Sequence, residues 1–287
     1  MEDRELIDNS PKHAVLLLHG LCGTYVELGA IIPAALKRNG YTVSSLDIPG
    51  YSASLINPSV SPNWEEWCDT VDAELMRLKE THETVSVCGL SMGATLALAA
   101  AIRRSDILAV VALSPILRYD GWAIPWGGSL IKIPLMLGLK NWSYKEKEPF
   151  GLRNIEMRRR VAMTIKEKGV AEIGAAEIPA RQLYAAHRLM AYVRNSLSSV
   201  QSDILLIHAI DDETAAPRNA EQILREVSSE VRKVIWLGDC YHIITFDNER
   251  EIVTNETVRF IQKTIHNHEN DQTYRQLSHR TALKDRR

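Results

Sequence analysis

Along most of the chain, short apolar runs with β-branched or alternating character exchange places with segments of helical period. The strand-like runs are "AVLLLHG" from Ala14, "YTVSSLDIPG", "TVSVCG", "ILAVVALSP", "DILLIHA" and "RKVIWLG". Between the early ones lie "VELGAIIPAALKRNG", "SPNWEEWCDTVDAELMRLKE" and "SMGATLALAAAIRR", which repeat apolar residues at helical spacing. Strands joined by crossover helices run parallel, so the pattern predicts an α/β fold: a mostly parallel central sheet flanked by helices on both faces. Local signals agree. The first helix carries Lys37 and Arg38 in its last turn with Gly40 behind it, and the second is predicted to start at Ser61 as N-cap with Pro62 at its first helical position.

The alternation breaks between about Arg118 and Leu183 and resumes with "DILLIHA". Residues 1–117 and 184–268 are therefore expected to form one core, and 118–183 an inserted helical cap. A last amphipathic helix is predicted from roughly Glu249 to His266. Residues 269–287 lack apolar periodicity and read as a disordered tail. Opposing charges nearly cancel, 34 basic against 36 acidic for a net of −2, so no global field favours nucleic acid or an acidic surface. The expected partner is a small molecule. No stretch approaches a membrane span, the start lacks a signal-like apolar region, and the four cysteines share no metal or redox spacing, which together predict a cytoplasmic protein with reduced thiols.

One short stretch calls for chemistry. Gly89-Leu90-Ser91-Met92-Gly93 sits where strand "TVSVCG" meets helix "SMGATLALAA". This is the nucleophile-elbow pattern, a sharp strand-to-helix turn that exposes a serine hydroxyl while small residues let neighbouring chains approach. The bland reading is a packing turn. A serine nucleophile needs a base, and the base an orienting carboxylate, following in the order acid then histidine. Both occur just past the ends of later strands: "DILLIHA" runs into "IDDETAAP", and "RKVIWLG" into "DCYHIITFDNE". His242 is the base candidate. His208 ends a strand, where local hydrogen bonding is the usual role; His187 precedes the acid loop; His266, His268 and His279 fall on the last helix or tail, where "HNH" reads as a solvated helix end rather than a metal site. Asp211, Asp212 and Glu213 are adjacent, and spacing does not choose among them. Backbone N–H groups of Met92, after the nucleophile, and of Leu21, in "HGLCGT", are the expected oxyanion donors. Gly20 and Gly23 form no dinucleotide fingerprint and no Walker lysine follows, so no cofactor is expected.

Four ordered blocks, "LLLHGLCGT", "VCGLSMGATLAL", "AIDDETAAP" and "YHIITFDNE", make the chain from His13 to His266 resemble an α/β-hydrolase of the bacterial carboxylesterase and monoacylglycerol lipase group. The resemblance implies the α/β-hydrolase fold and selects Asp212, five positions before Pro217, as the acid. Tyr241 before the histidine and "DIPGYS", where Gly-His-Gly is common, depart from the group and bear on substrate identity. The resulting expectation is an esterase acting through an acyl-enzyme with Ser91, His242 and Asp212, on substrates with an apolar acyl part. "IPLMLGL" in the insertion would line the acyl pocket. A histidine with a near-reference pKa would make activity rise through roughly pH 6 to 7.5. The alternatives are a thioesterase or acyltransferase using the same residues, and a binding protein without turnover.

Overall fold

The computed structural model describes residues 12–57, 60–124, 142–168 and 177–284, with only the backbone given for 274–284. Six strands form the central sheet: β1 (His13–Leu18), β2 (Thr42–Ser45), β3 (Thr84–Leu90), β4 (Ala109–Leu113), β7 (Asp203–Ala209) and β8 (Arg232–Leu237). Their spatial order is β2-β1-β3-β4-β7-β8 and every pairing is parallel. The inner strands β1, β3, β4 and β7 are buried on both faces, as their unbroken apolar runs require, whereas the edge strands β2 and β8 are partly open.

Alternate strand residues serve opposite faces. Leu16, Leu18, Val87, Val110 and Leu206 pack against α2 (Trp64–Lys79), α3 (Met92–Arg103) and α5 (Ala180–Ser196). Leu17, Leu90, Val111, Leu205 and Ile207 face α1 (Ile31–Arg38) and α7 (Arg250–Lys284). Between β4 and β7 the chain also forms an antiparallel pair, β5 (Ser143–Lys145) with β6 (Glu177–Pro179), and helix α4 (Ile155–Lys168). α6 (Arg218–Glu226) links β7 to β8. Helix α5 runs unbroken through 183 and 184, so the expected edge of the insertion falls inside a helix whose Leu189, Met190 and Val193 belong to the sheet's core. Among the described residues no helix is long and apolar enough to cross a membrane.

Two expectations need correction. Helix α2 is capped by Asn63, whose side chain accepts from Glu65 N, rather than by Ser61. Asn is at least as good a cap as Ser, and Pro62 lies outside the helix, packed beside Gly50. The backbone after His266 is also not irregular: α7 continues to Lys284. In the first turns of this extension side chains four apart bond to each other, Asn270 Nδ2 with His266 Nε2 at 3.1 Å and Gln272 Nε2 with His268 Nε2 at 2.8 Å.

Strand register brings the loops together. Leu18 lies opposite Gly89, so the loop after β1 starts beside the elbow, at the switch point where the chain winds in opposite directions from β1. Ala209 lies opposite Leu237, so the loops carrying Asp212 and His242 start side by side.

Candidate active site

The turn at Ser91 is built by steric exclusion. Ser91 has φ 60° and ψ −121°, a conformation that a non-glycine residue adopts only under constraint, and its N–H donates to Leu113 O at 2.8 Å. A Cβ on Gly89 would lie 2.2 Å from Gly93 O, and one on Gly93 would lie 2.2 Å from Leu18 O. Only glycine fits at either position. The two glycines of the motif are thus demanded by the crossing of β3, α3 and the end of β1.

The loop after β1 wraps the same turn. Within Gly20-Leu21-Cys22-Gly23, Gly20 N–H donates to Glu27 Oε2 (2.8 Å), Cys22 N–H to Tyr51 O (2.9 Å) and Gly23 N–H to Gly20 O (3.1 Å). Leu21 N–H alone in this set has no acceptor among the described residues. Met92 N–H, at the first position of α3, is an orphan donor of the kind every helix start carries. His19 braces the loop: its Nδ1–H donates to Gly20 O at 2.7 Å, and Nε2 is 2.8 Å from Ser52 Oγ. Tyr51 O–H donates to His19 O at 2.7 Å. Tyr51 is fully buried, so this residue of "DIPGYS" supports the loop from beneath. Tyr241 is at the rim, against Trp122 and the guanidinium groups of Arg153 and Arg158.

Three residues far apart in the chain meet in a line. Ser91 Oγ lies 2.9 Å from His242 Nε2, and His242 Nδ1 lies 2.8 Å from Asp212 Oδ2. A carboxylate can only accept, so Nδ1 carries the hydrogen and Nε2 of the neutral ring is left to accept from the serine. Asp212 is buried and its Oδ1 accepts from Thr214 N and Ala215 N at 2.9 and 2.8 Å. Although burial alone would favour its neutral form, His242 and these donors hold the Asp212 pKa below the ordinary carboxylate value. For His242, burial opposes the charged ring, but Asp212, then Glu213 and Glu146, outweigh it and push the pKa up to about 9. This departs from the near-reference histidine expected above, because sequence spacing does not reveal how many carboxylates converge around one ring.

The other candidates take different places. Asp211 points outward to Arg153 Nη1 at 2.8 Å. Glu213 turns inward, its Oε2 accepting from the main-chain N–H of His242 at 3.0 Å. His208 donates from Nε2 to Ala215 O at 2.8 Å, and burial lowers its pKa, so its 3.5 Å approach to Asp212 is not an ion pair. His187 lies on α5, edge-on to Tyr119. His266 and His268 are on α7, and among the described residues no cluster of three His, Cys, Asp or Glu could hold a metal.

Sequence reasoning missed the groups that hold the histidine loop. Asp247, fully buried, accepts from Tyr241 N, Arg153 N, Asn154 N and Asn248 N at 2.7, 2.8, 2.7 and 3.1 Å. It lies in the block "YHIITFDNE", which was the available signal. Glu146, just past β5, carried none. Beside Glu146, Glu213 and Thr214 lies a cavity of about 470 Å³ lined also by Tyr119, Ile178 and Leu183. A larger crevice of about 610 Å³ sits at the opposite rim, where Thr84 and Asp203 begin their strands, away from the serine. The segment "IPLMLGL" lies outside the described residues.

Comparison with known proteins shows the family and the fold. A thermostable monoacylglycerol lipase of Bacillus sp. (strain H-257) is 25% identical over 258 residues, covering 89% of this chain and 92% of the lipase. A carboxylesterase of Bacillus subtilis (strain 168) is 24% identical over 254 residues, covering 87% and 92%. Among solved structures, the monoacylglycerol lipase of Paleococcus ferrophilus superposes with a TM-score of 0.72 at 19% identity, covering 88% of this chain and 94% of that one. A soluble variant of the Saccharomyces cerevisiae monoglyceride lipase gives 0.71 at 16%, covering 89% and 88%. The family model Hydrolase_4, described as serine aminopeptidase, S33, matches residues 9–249. The chain has the α/β-hydrolase fold and belongs to this family.

Proposed function

We propose that the protein is a serine hydrolase that cleaves carboxylic esters with an apolar acyl part through an acyl-enzyme. In this reading His242 takes the Ser91 proton as the hydroxyl attacks the ester carbonyl, and Asp212 holds the imidazole in the required tautomer and stabilises its cationic form. The N–H groups of Leu21 and Met92 receive the negative oxygen of the tetrahedral intermediate. His242 returns the proton to the leaving alcohol, and water activated by the same imidazole then releases the acid. The observation that carries the reading is the line of contacts from Ser91 Oγ to His242 Nε2 and from His242 Nδ1 to Asp212, beside a Leu21 N–H that has no acceptor among the described residues. Relatives named as a monoacylglycerol lipase and a carboxylesterase support the ester class.

The same reading assigns 118–183 as a cap over the site. It is supported by the cavity between Ile178, Leu183 and Tyr119 and the acid loop, whose mixed apolar and carboxylate lining suits a ligand with an apolar chain and a polar end. Four buried, unpaired cysteines fit a reducing compartment, and the proposal places the enzyme in the cytoplasm. A fluorophosphonate probe tests the central assignment. Wild type should be labelled at Ser91, and Ser91→Ala should lose both labelling and ester hydrolysis with unchanged circular dichroism. Labelling at a different serine would sink the assignment.

A further inference from the structure

Three successive N–H groups of the histidine loop are each pinned by a different part of the molecule. Tyr241 N–H donates to Asp247, His242 N–H to Glu213, and Ile243 N–H to Gly151 O at 2.8 Å. The middle acceptor is the unusual one. Glu213 is only 4% exposed and directly follows Asp212, so two adjacent buried carboxylates are turned onto one histidine, one at its ring and one at its backbone. An N–H in a loop can be satisfied by a carbonyl, an amide or water. A buried charge is a costly way to do it unless the charge itself is used.

Glu213 is also held firmly. Its Oε1 accepts from Thr214 Oγ1 at 3.2 Å, and its carbonyl accepts from Ala123 N at 3.0 Å. A Cβ on Gly121 would come within 2.2 Å of its carbonyl carbon, so the segment 121–123 clamps the residue from the other side. The side chain cannot swing away without freeing the His242 main chain.

Resting on the assignment of His242 as base, we propose that Glu213 is a positioning residue. Its carboxylate fixes the main chain of His242 and keeps a second negative charge beside the imidazole, which must become cationic as Ser91 attacks. The groups facing the ring are Asp212 and Glu213 from the acid loop, His208 from β7, Glu146 from beyond β5, and Ser91 from the elbow. Of the carboxylates, only Asp212 and Glu213 bond to His242 itself among the described residues. Burial, with Asp212 adding to it, raises the Glu213 pKa against the opposing pull of His242, so Glu213 ionises less readily than a free carboxylate and its charge is favoured when the neighbouring imidazole is cationic.

The charge and the hydrogen bond separate in two substitutions. Glu213→Gln keeps an oxygen for the His242 N–H and removes the charge. Its acid limb in kcat/KM for a p-nitrophenyl ester should move to lower pH by about one unit, as loss of one adjacent charge does, and its plateau kcat should fall about tenfold or more with KM little changed. Glu213→Asp keeps the charge but shortens the reach. Its limb should stay near the wild-type position while kcat falls. A Glu213→Gln enzyme whose limb does not move overturns the proposal, because a purely structural residue would lower activity equally at every pH. Should Glu213→Gln fail to fold, Glu213→Asp decides: wild-type kcat would overturn the proposal, and a reduced kcat at an unmoved limb would support it. Fluorophosphonate labelling of wild type at Ser91 is read in parallel, so that failure of the serine assignment is distinguishable from failure at Glu213.

Discussion

The elbow at Ser91 and the loop at His242 both hold a side chain in place, and they do it by opposite means. At the elbow the constraint is exclusion: glycine at 89 and 93 is the only residue that lets β3, α3 and the end of β1 cross where they do. Around His242 the constraint is attraction, with Asp212, Glu213 and Asp247 each accepting from the loop at 2.7 to 3.0 Å. Exclusion acts between residues a few positions apart, with the strand register supplying one neighbour. Attraction recruits carboxylates from the acid loop and the histidine's own loop, and ties in Arg153 and Asn154 from the segment between β5 and α4. A steric device therefore either fits or fails, whereas an electrostatic one can be weakened by degrees and titrated.

The largest expected effect comes from cutting the strongest attraction. Asp212→Asn should lower kcat by about 10³ to 10⁴, as loss of the correct histidine tautomer does, with the fold retained by circular dichroism. Asp211→Asn, one position away, removes only a solvent-exposed pair with Arg153 and should change kcat less than about threefold. A larger loss for Asp211 than for Asp212 in steady-state kinetics would reverse their assignment. Next in size is the steric device. Gly93→Ala drives a methyl group into the Leu18 and His19 carbonyls and should cost about 3 kcal/mol, a fall in Tm of roughly 6 to 12 °C by thermal denaturation. An alanine variant of wild-type Tm would show that the crossing relaxes and that exclusion is not what shapes the elbow.

The mildest test is pH alone. Catalysis needs neutral His242, whose pKa is raised from 6.5 to about 9, so kcat/KM should climb along an acid limb displaced above 6.5 toward 9 instead of levelling off near 7.5. Folding raises this pKa, so the stability contributed by the charged ring is complete below about 6.5 and is lost as pH rises to about 9. Activity and Tm should move in opposite directions across that interval. A limb centred at 6.5, or a Tm that rises there, would show that the carboxylates do not govern the ring.

This contrast also explains what could be read from the sequence. The six sheet strands, the crossover helices and the order of serine, acid and histidine were legible, because they rest on periodicity, on a local glycine pattern and on motif order. The acid was not legible from spacing alone. Resemblance selected Asp212, and the 2.8 Å contact with Nδ1 puts that same carboxylate against the ring. Glu146 and Arg153 left no trace in the pattern, since their meaning depends on where the chain between β4 and β7 folds back. The length of α7 differs from the sequence expectation for a related reason: the residues just past His266 are mostly exposed and carry no apolar stripe to announce a helix.

The parallel sheet has one more consequence, for the order in which the molecule can be made. Parallel neighbours require crossovers, so Ser91 and His242 are 151 residues apart, and β8, which leads into the histidine, is an edge strand. During synthesis the chain emerges from its N-terminus, so β1, β3, β4 and the elbow are made well before β8 and the histidine loop. Until β8 docks beside β7, no imidazole faces the serine. A chain without β8 has no imidazole placed to pair with Ser91, and the contact between Ser91 and His242 reports that the sheet has closed up as far as β8.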